Sequence, residues 1–258
     1  MSNFNKTILV VQAHPDDTEA WCSGTLKLLK DRGYKIVIAS MTAGGLGGLN
    51  TKEEETKTIR KIEAANSAEV LGAEYHCLDQ RDGYVFDNLE ARIKTLALLR
   101  KVKAGIVFTH IYDDYHADHR ATAAIVDVAA MQATLPNAPC DVKPLERTPL
   151  LYHTAPMSLK GPLGSPITAP QFFVDITSVL DTKMEMLSCH QSQLELMKKM
   201  FNMDNFFEEA KQYNREIGKL GGFEYAECFW QHMGGGFETH PQIQNDLKDL
   251  IEVNNEYK

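Results

Sequence analysis

Apolar residues fall into short unbroken runs separated by longer stretches where they recur every third or fourth position. Thr7-Ile8-Leu9-Val10-Val11 is the first such run. It predicts a strand over 6–14, stopped by Pro15, which has no N–H to give a ladder. Apolar character on successive residues is what a strand covered on both faces requires. Leu26, Leu28 and Leu29 predict a helix over 19–32, with Gly33 at its stop. The alternation repeats: a strand over 34–42, a Lys- and Glu-rich helix over 51–71 closed by Gly72, and a short strand over 75–78. A helix over 89–102 carries Ile93, Leu96, Leu99 and Val102 at helical spacing, and a strand over 105–110 precedes a helix reaching about Met131. Strand and helix alternating four times predict an α/β fold with a parallel sheet and right-handed crossovers.

Beyond Met131 the pattern loosens. Pro136, Pro139 and Pro144 mark a loop, and strands are expected over 150–153, 171–176 and 224–231. Helices are expected over 181–200 and 205–220, and a polar tail after Gly234-Gly235-Gly236. With no repeat and no linker, the chain reads as one domain over 1–258: an α/β core over 1–131 and a less regular remainder over 132–258.

The 258 residues allow a large core, since folding at this size buries roughly 70–75% of the chain surface. A net charge of −8 argues against nucleic acid as a partner. The five cysteines form no C-x-x-C pair, which favours a reduced compartment over a disulfide framework. The first residues lack an apolar signal core, and no run is long enough to span a bilayer. The expectation is a cytoplasmic protein that does not engage a membrane.

Candidate chemistry gathers at two strand ends. Ala13-His14-Pro15-Asp16-Asp17-Thr18-Glu19 follows the first strand, and His116-Ala117-Asp118-His119-Arg120 follows the fourth. Either run alone also reads as a helix start, with Asp or Thr as cap. Together they read differently, because open α/β sheets bind ligands beyond the carboxyl ends of their strands. His14, Asp17 and His119 make a set of three ligands that leaves one position of a catalytic zinc site open. Asp16, adjacent and free, is placed to act as general base, and His116 to stabilise an oxyanion as imidazolium. Asp118 is expected to hold the tautomer of His116. These are parts for hydrolysis of an amide or ester. Two other readings use the same residues: a non-haem Fe(II) oxygenase with a 2-His-1-carboxylate site, and a non-catalytic metal- or sugar-binding protein.

His14-Pro15-Asp16-Asp17 and His116-Ala117-Asp118-His119 resemble the two motifs of the PIG-L/LmbE-like metal-dependent deacetylases. The likeness extends to the glycine-rich loop over 43–50, to Arg60-Lys61-Ile62-Glu63-Ala64 and to Leu71-Gly72, and more weakly to His190-Gln191-Ser192-Gln193 and Tyr225-Ala226-Glu227. The resemblance implies a Rossmann-like three-layer fold with a mostly parallel sheet. It also implies removal of an acetyl group from an N-acetylglucosamine-type sugar conjugate. In its terms His14, Asp17 and His119 hold Zn2+ (Fe2+ being the alternative), Asp16 is the base and His116 faces the oxyanion. Arg60 matches a substrate-reaching arginine, Gly45 belongs to a loop shaping the pocket, and His190 is a further pocket candidate. Thr18 and Glu19 depart from the usual order, as in the bacillithiol-type branch, and Ala117 replaces a proline. Partners implied are a small acetamido sugar and other copies of the chain in a homo-oligomer.

Other residues carry blander readings. Gly45-Leu46-Gly47-Gly48 is a broken dinucleotide fingerprint after the wrong strand. His110 reads as a core histidine with a supporting role at the site as the alternative. Phe201, Phe206 and Phe207 read as core packing. His76, His153, His232 and His240 are assigned no role.

Overall fold

The computed structural model describes residues 4–203 and 205–255. One eight-stranded sheet runs through the molecule in the order β3-β2-β1-β4-β5-β7-β6-β8. Its parallel part comprises β1 (Thr7–Gln12), β2 (Lys35–Thr42), β3 (Glu74–Gln80), β4 (Ile106–His110) and β5 (Leu150–Thr154). Three later strands, β6 (Phe172–Asp175), β7 (Ala226–Gln231) and β8 (Ile251–Val253), extend one edge in antiparallel fashion. The fold is Rossmann-like, with a mostly parallel sheet, as expected.

Successive strand residues point to opposite faces, and each face has its own core. Ile8, Val10, Ile36, Ile38, Ile106 and Phe108 pack on one side with residues of α2 (Ser23–Asp31), α3 (Glu53–Val70) and α6 (Leu180–Ser188). Leu9, Val11, Val37, Val107 and Leu151 pack on the other with α4 (Leu89–Val102) and α5 (Ala117–Met131). This two-sided burial is why the strand runs are apolar throughout.

Strand β1 pairs with β2 on one side and β4 on the other, both parallel. Strand order therefore reverses between β1 and β4. Their carboxyl ends flank the crevice where such sheets bind ligands, and both motifs leave from these ends.

The single helix expected over 19–32 is two: α1 (Asp17–Trp21) and α2, parted at Cys22 (φ −147°, ψ 1°). The break is imposed from a distance. Glu227 of β7 accepts from Gly24 N (3.0 Å) and Thr25 N (2.8 Å), capping a new helix start. The helix expected over 181–200 is likewise broken, into α6, a 3-10 turn over Gln191–Gln193 and α7 (Leu194–Phe201). Here Glu63 of α3 accepts from Ser192 N (2.8 Å) and Ser192 Oγ (2.6 Å). The expected polar tail contains α9 (Gln242–Asp246) and β8, which pairs with β6. Phe206 and Phe207 open α8 (Phe206–Gly221) and are only half-buried, so they are not core; the side chain of Phe201 lies outside the described residues.

Candidate metal centre

Strand β1 ends at Gln12, two residues short of the expected end at His14, and the chain turns sharply at Asp16, whose φ is 99°. That conformation is costly for a residue with a Cβ and persists only where the surroundings hold it. Arg60 of α3 does so. It is buried and donates to Asp16 Oδ2 (3.0 Å), Pro15 O (2.6 Å) and Gly44 O (3.1 Å). Asp16 stands at the start of α1, yet its side chain makes no capping bond. The capping alternative for this carboxylate therefore fails. Burial pushes the Asp16 pKa up, Arg60 opposes this and Asp17 adds to it, with the result about 6.

The turn places His14 and Asp17 together. Asp17 Oδ2 accepts from His14 N (2.8 Å) and lies 3.3 Å from His14 Nδ1. Across the crevice, α5 starts just beyond β4 and delivers His119, whose Nε2 is 3.4 Å from Asp17 Oδ1. Residues a hundred positions apart thus converge. The rings of His14 and His116, and of His116 and His119, have centroids 4.8 Å apart in each pair.

A carboxylate backs the far nitrogen of each flanking imidazole. His119 Nδ1 is 3.0 Å from Asp114 Oδ1. His14 Nε2 is 3.3 Å from both Asp82 Oδ1 and Asp118 Oδ2. Burial lowers the pKa of both histidines, but the carboxylates outweigh it. His14 ends well above the ordinary value, and His119 at about 9. Asp82 and Asp114 carry no motif in the sequence beyond a place in the polar turns after β3 and β4.

Asp118 differs from expectation. Its carboxylate accepts from Gly83 N (2.8 Å) and Val85 N (3.2 Å) and faces His14, not His116. His116 instead accepts at Nδ1 from the Asp118 backbone N–H (3.2 Å) as the cap of α5. Its proton therefore sits on Nε2. Burial, with His14 and His119, lowers the His116 pKa, so the ring is neutral rather than imidazolium near pH 7.

His110 is fully buried behind the cluster, stacked on His119 with ring centroids 3.8 Å apart, and accepts at Nε2 from Ala13 N (2.9 Å). His190 is buried with Nε2 at 3.3 Å from Glu19 Oε1, which also accepts from Ser67. Gly45 opens a 3-10 turn over Gly45–Gly47, whose Leu46 N donates to Asp82 (2.8 Å). The loop thus buttresses a carboxylate behind His14.

The donor set fits a divalent cation. A tetrahedral cation with ligands at about 2.0–2.1 Å holds them roughly 3.3–3.4 Å apart. The two Asp17 contacts, 3.3 Å from Oδ2 to His14 and 3.4 Å from Oδ1 to His119, are close to that length, one for each carboxylate oxygen. Imidazoles backed by carboxylates are the usual second layer of such sites. Three overlapping groups each bring ligand atoms within 4.8 Å of one another: His14, His116 and His119; Asp17, His110 and His119; and His14, Asp82 and Asp118. The expected ligands His14, Asp17 and His119 are spread over these groups and do not together make up any one of them. Among the described residues no helix is long and apolar enough to cross a membrane.

The chain is similar to known proteins over nearly its whole length. It is 30% identical over 236 residues to diacetylchitobiose deacetylase of Thermococcus kodakarensis, covering 87% of this chain and 82% of that one. It is 27% identical over 207 residues to 4-oxalmesaconate hydratase of Pseudomonas putida, covering 76% and 77%. The crystal structure of a conserved protein of Thermus thermophilus superposes with a TM-score of 0.71 at 31% identity, covering 86% of this chain and 92% of that one. Residues 9–130, which hold both histidine motifs, match the family model for GlcNAc-PI de-N-acetylase, and the chain belongs to this PIG-L family.

Proposed function

We propose that this protein is a metal-dependent hydrolase that removes the acetyl group from an N-acetylglucosamine-type sugar, with Zn2+ or Fe2+ held by His14, Asp17 and His119. The observation that carries the reading is Asp17 flanked by two carboxylate-backed imidazoles, with the unligated Asp16 next to it. A divalent cation bound there would polarise a carbonyl and lower the pKa of water. Asp16, with its pKa raised to about 6, suits a base working near neutrality. It takes a proton from the attacking water, whose oxygen adds to the acyl carbon. His116 Nε2–H donates to the developing oxyanion as a neutral ring, a role for which its Nδ1 is already committed. The C–N bond then breaks, the amine nitrogen leaves with the proton that Asp16 took from the water, and acetate is released. Arg60 acts by holding Asp16 in place, and His190, itself paired with Glu19, favours its charged form.

The relative that is a hydratase supplies a second reading, since hydration of a double bond also uses activated water and a base. Acetate release from N-acetylglucosaminides by metal-loaded protein tests the first reading. Asp16→Asn should lower kcat by about 10²–10⁴-fold with metal affinity retained. No acetate from any acetamido sugar, with water addition to an unsaturated acid instead, would favour the hydratase.

A further inference from the structure

A cleft of about 240 Å3 opens directly onto Asp16, Asp17 and Tyr115. Its walls are Trp21, Met157, Leu187, Met197, Met203 and Phe206, drawn from α1, α6, α7, α8 and the loops between. Its charged residues beyond the centre are Glu209 and Glu216, and no lysine or arginine is among the described residues that line it. The guanidiniums bonded to its lining residues already have partners: Arg60 on Asp16 and two carbonyls, Arg120 on the carbonyls of Asp114 and Tyr115, and Arg215 on Gln212 and Tyr225. Away from the centre, an anionic group in this cleft would meet the like charges of Glu209 and Glu216 and only the uncharged polar side chains of Gln212, Tyr213 and Asn214. An apolar group would find methionines, which adapt to irregular shapes, and the rings of Trp21 and Phe206.

From this we infer that the half of the substrate beyond the acetamido sugar is apolar and carries no negative charge. The inference rests on the deacetylase reading for its placement, but the cleft's preference is measurable without turnover. Diacids, phosphates and sugar acids are excluded as that half; alkyl, aryl and acyl groups are admitted. It also weighs against a hydratase of an anionic substrate at this site.

The test has two arms on metal-loaded protein. In the first, n-alkyl β-glucosides from methyl to octyl, which have no acetamide, are titrated below their micelle concentrations while Trp21 fluorescence or heat is followed. Each buried methylene is expected to lower Kd by about two- to fourfold, the upper figure being full burial at ~0.8 kcal/mol. Carboxyalkyl glucosides of equal length should bind no better than methyl glucoside. In the second arm, kcat/KM for acetate release from the matching N-acetylglucosaminides should follow the same order. Met203→Lys and, separately, Met157→Lys should reverse the preference toward carboxyalkyl glucosides. A flat alkyl series, or carboxylates binding best to the unaltered protein, overturns the inference. A rising alkyl series without acetate release would uphold the cleft's preference and sink the deacetylase reading alone.

Discussion

Asp114 offers a sharp test of the centre, because it touches no substrate and was reached only through the fold. Its Oδ1 is 3.0 Å from His119 Nδ1 and also accepts from His116 N at 2.9 Å. It therefore orients one proposed ligand and the start of the helix that carries it. Losing such a partner typically weakens metal binding about 10–100-fold. If metal is supplied at about 1,000 times the parent Kd, binding stabilises the fold by about 4.1 kcal/mol. A roughly 100-fold weaker variant would keep only ~1.4 kcal/mol under the same conditions. The difference of ~2.7 kcal/mol corresponds to roughly 5–10 °C in Tm for a chain of this size. Asp114→Ala should approach the larger loss, and Asp114→Asn, which keeps an acceptor oxygen, the smaller. Competition with a chelating dye gives Kd, and thermal melts with and without Zn2+ give the increment. Were both variants to bind metal like the parent while melting earlier in its absence, Asp114 would be merely structural and the assignment of His119 as a ligand would lose its support.

Three further outcomes are expected. Lys183 is fully buried with its Nζ on Glu227 Oε1 (2.7 Å) and Ala20 O (2.8 Å), so Lys183→Met should cost about 3–5 kcal/mol in chemical denaturation; a second change, Glu227→Gln, should return part of it, and a loss under ~1 kcal/mol would refute the buried pair. Gly44 has φ +65°, and an added Cβ would stand 2.1 Å from Arg60 Nη1; Gly44→Ala should displace that guanidinium from Asp16 and lower kcat at least about tenfold in the folded enzyme, apart from a backbone strain of ~1–2 kcal/mol that shows in stability. His190 has its pKa lowered by burial but raised overall by Glu19 and Asp16, against Arg60, while burial of Glu19 is outweighed by His190 so that its pKa falls. A raised histidine contributes stability that is complete below its unfolded pKa near 6.5 and fades as pH climbs through the folded value; a depressed glutamate contributes above about 4.5 and fades on acidification. The stability gap between parent and His190→Gln should thus be widest at roughly pH 5–6 and narrow on alkalinisation, and urea melts showing a gap that widens with pH would contradict this.

Much of the centre was legible in the chain because two simple periodicities locate strand ends, and topology does the rest. Thr7–Val11 and Ile106–Phe108 could be recognised as doubly covered strands, and residues just beyond such strands meet at the switch point. That logic needs no side-chain detail, which is why His14, Asp17, His116 and His119 could be grouped although a hundred residues separate the pairs.

What the local pattern could not carry were features set by partners remote in sequence. Cys22 breaks a helix because Glu227 caps the residues after it, and His190 sits at another break beside residues held by Glu63. Asp118 backs His14 rather than its neighbour His116, and Asp82 and Asp114 matter through where two turns happen to point. Arg60 could be anticipated near the site, but only packing against Gly44 and Pro15 turns it onto Asp16. Propensity and spacing encode which backbone a segment prefers over a few residues. Which carboxylate meets which imidazole depends on distances of a few ångströms between elements, and those are settled only when both cores close around the sheet.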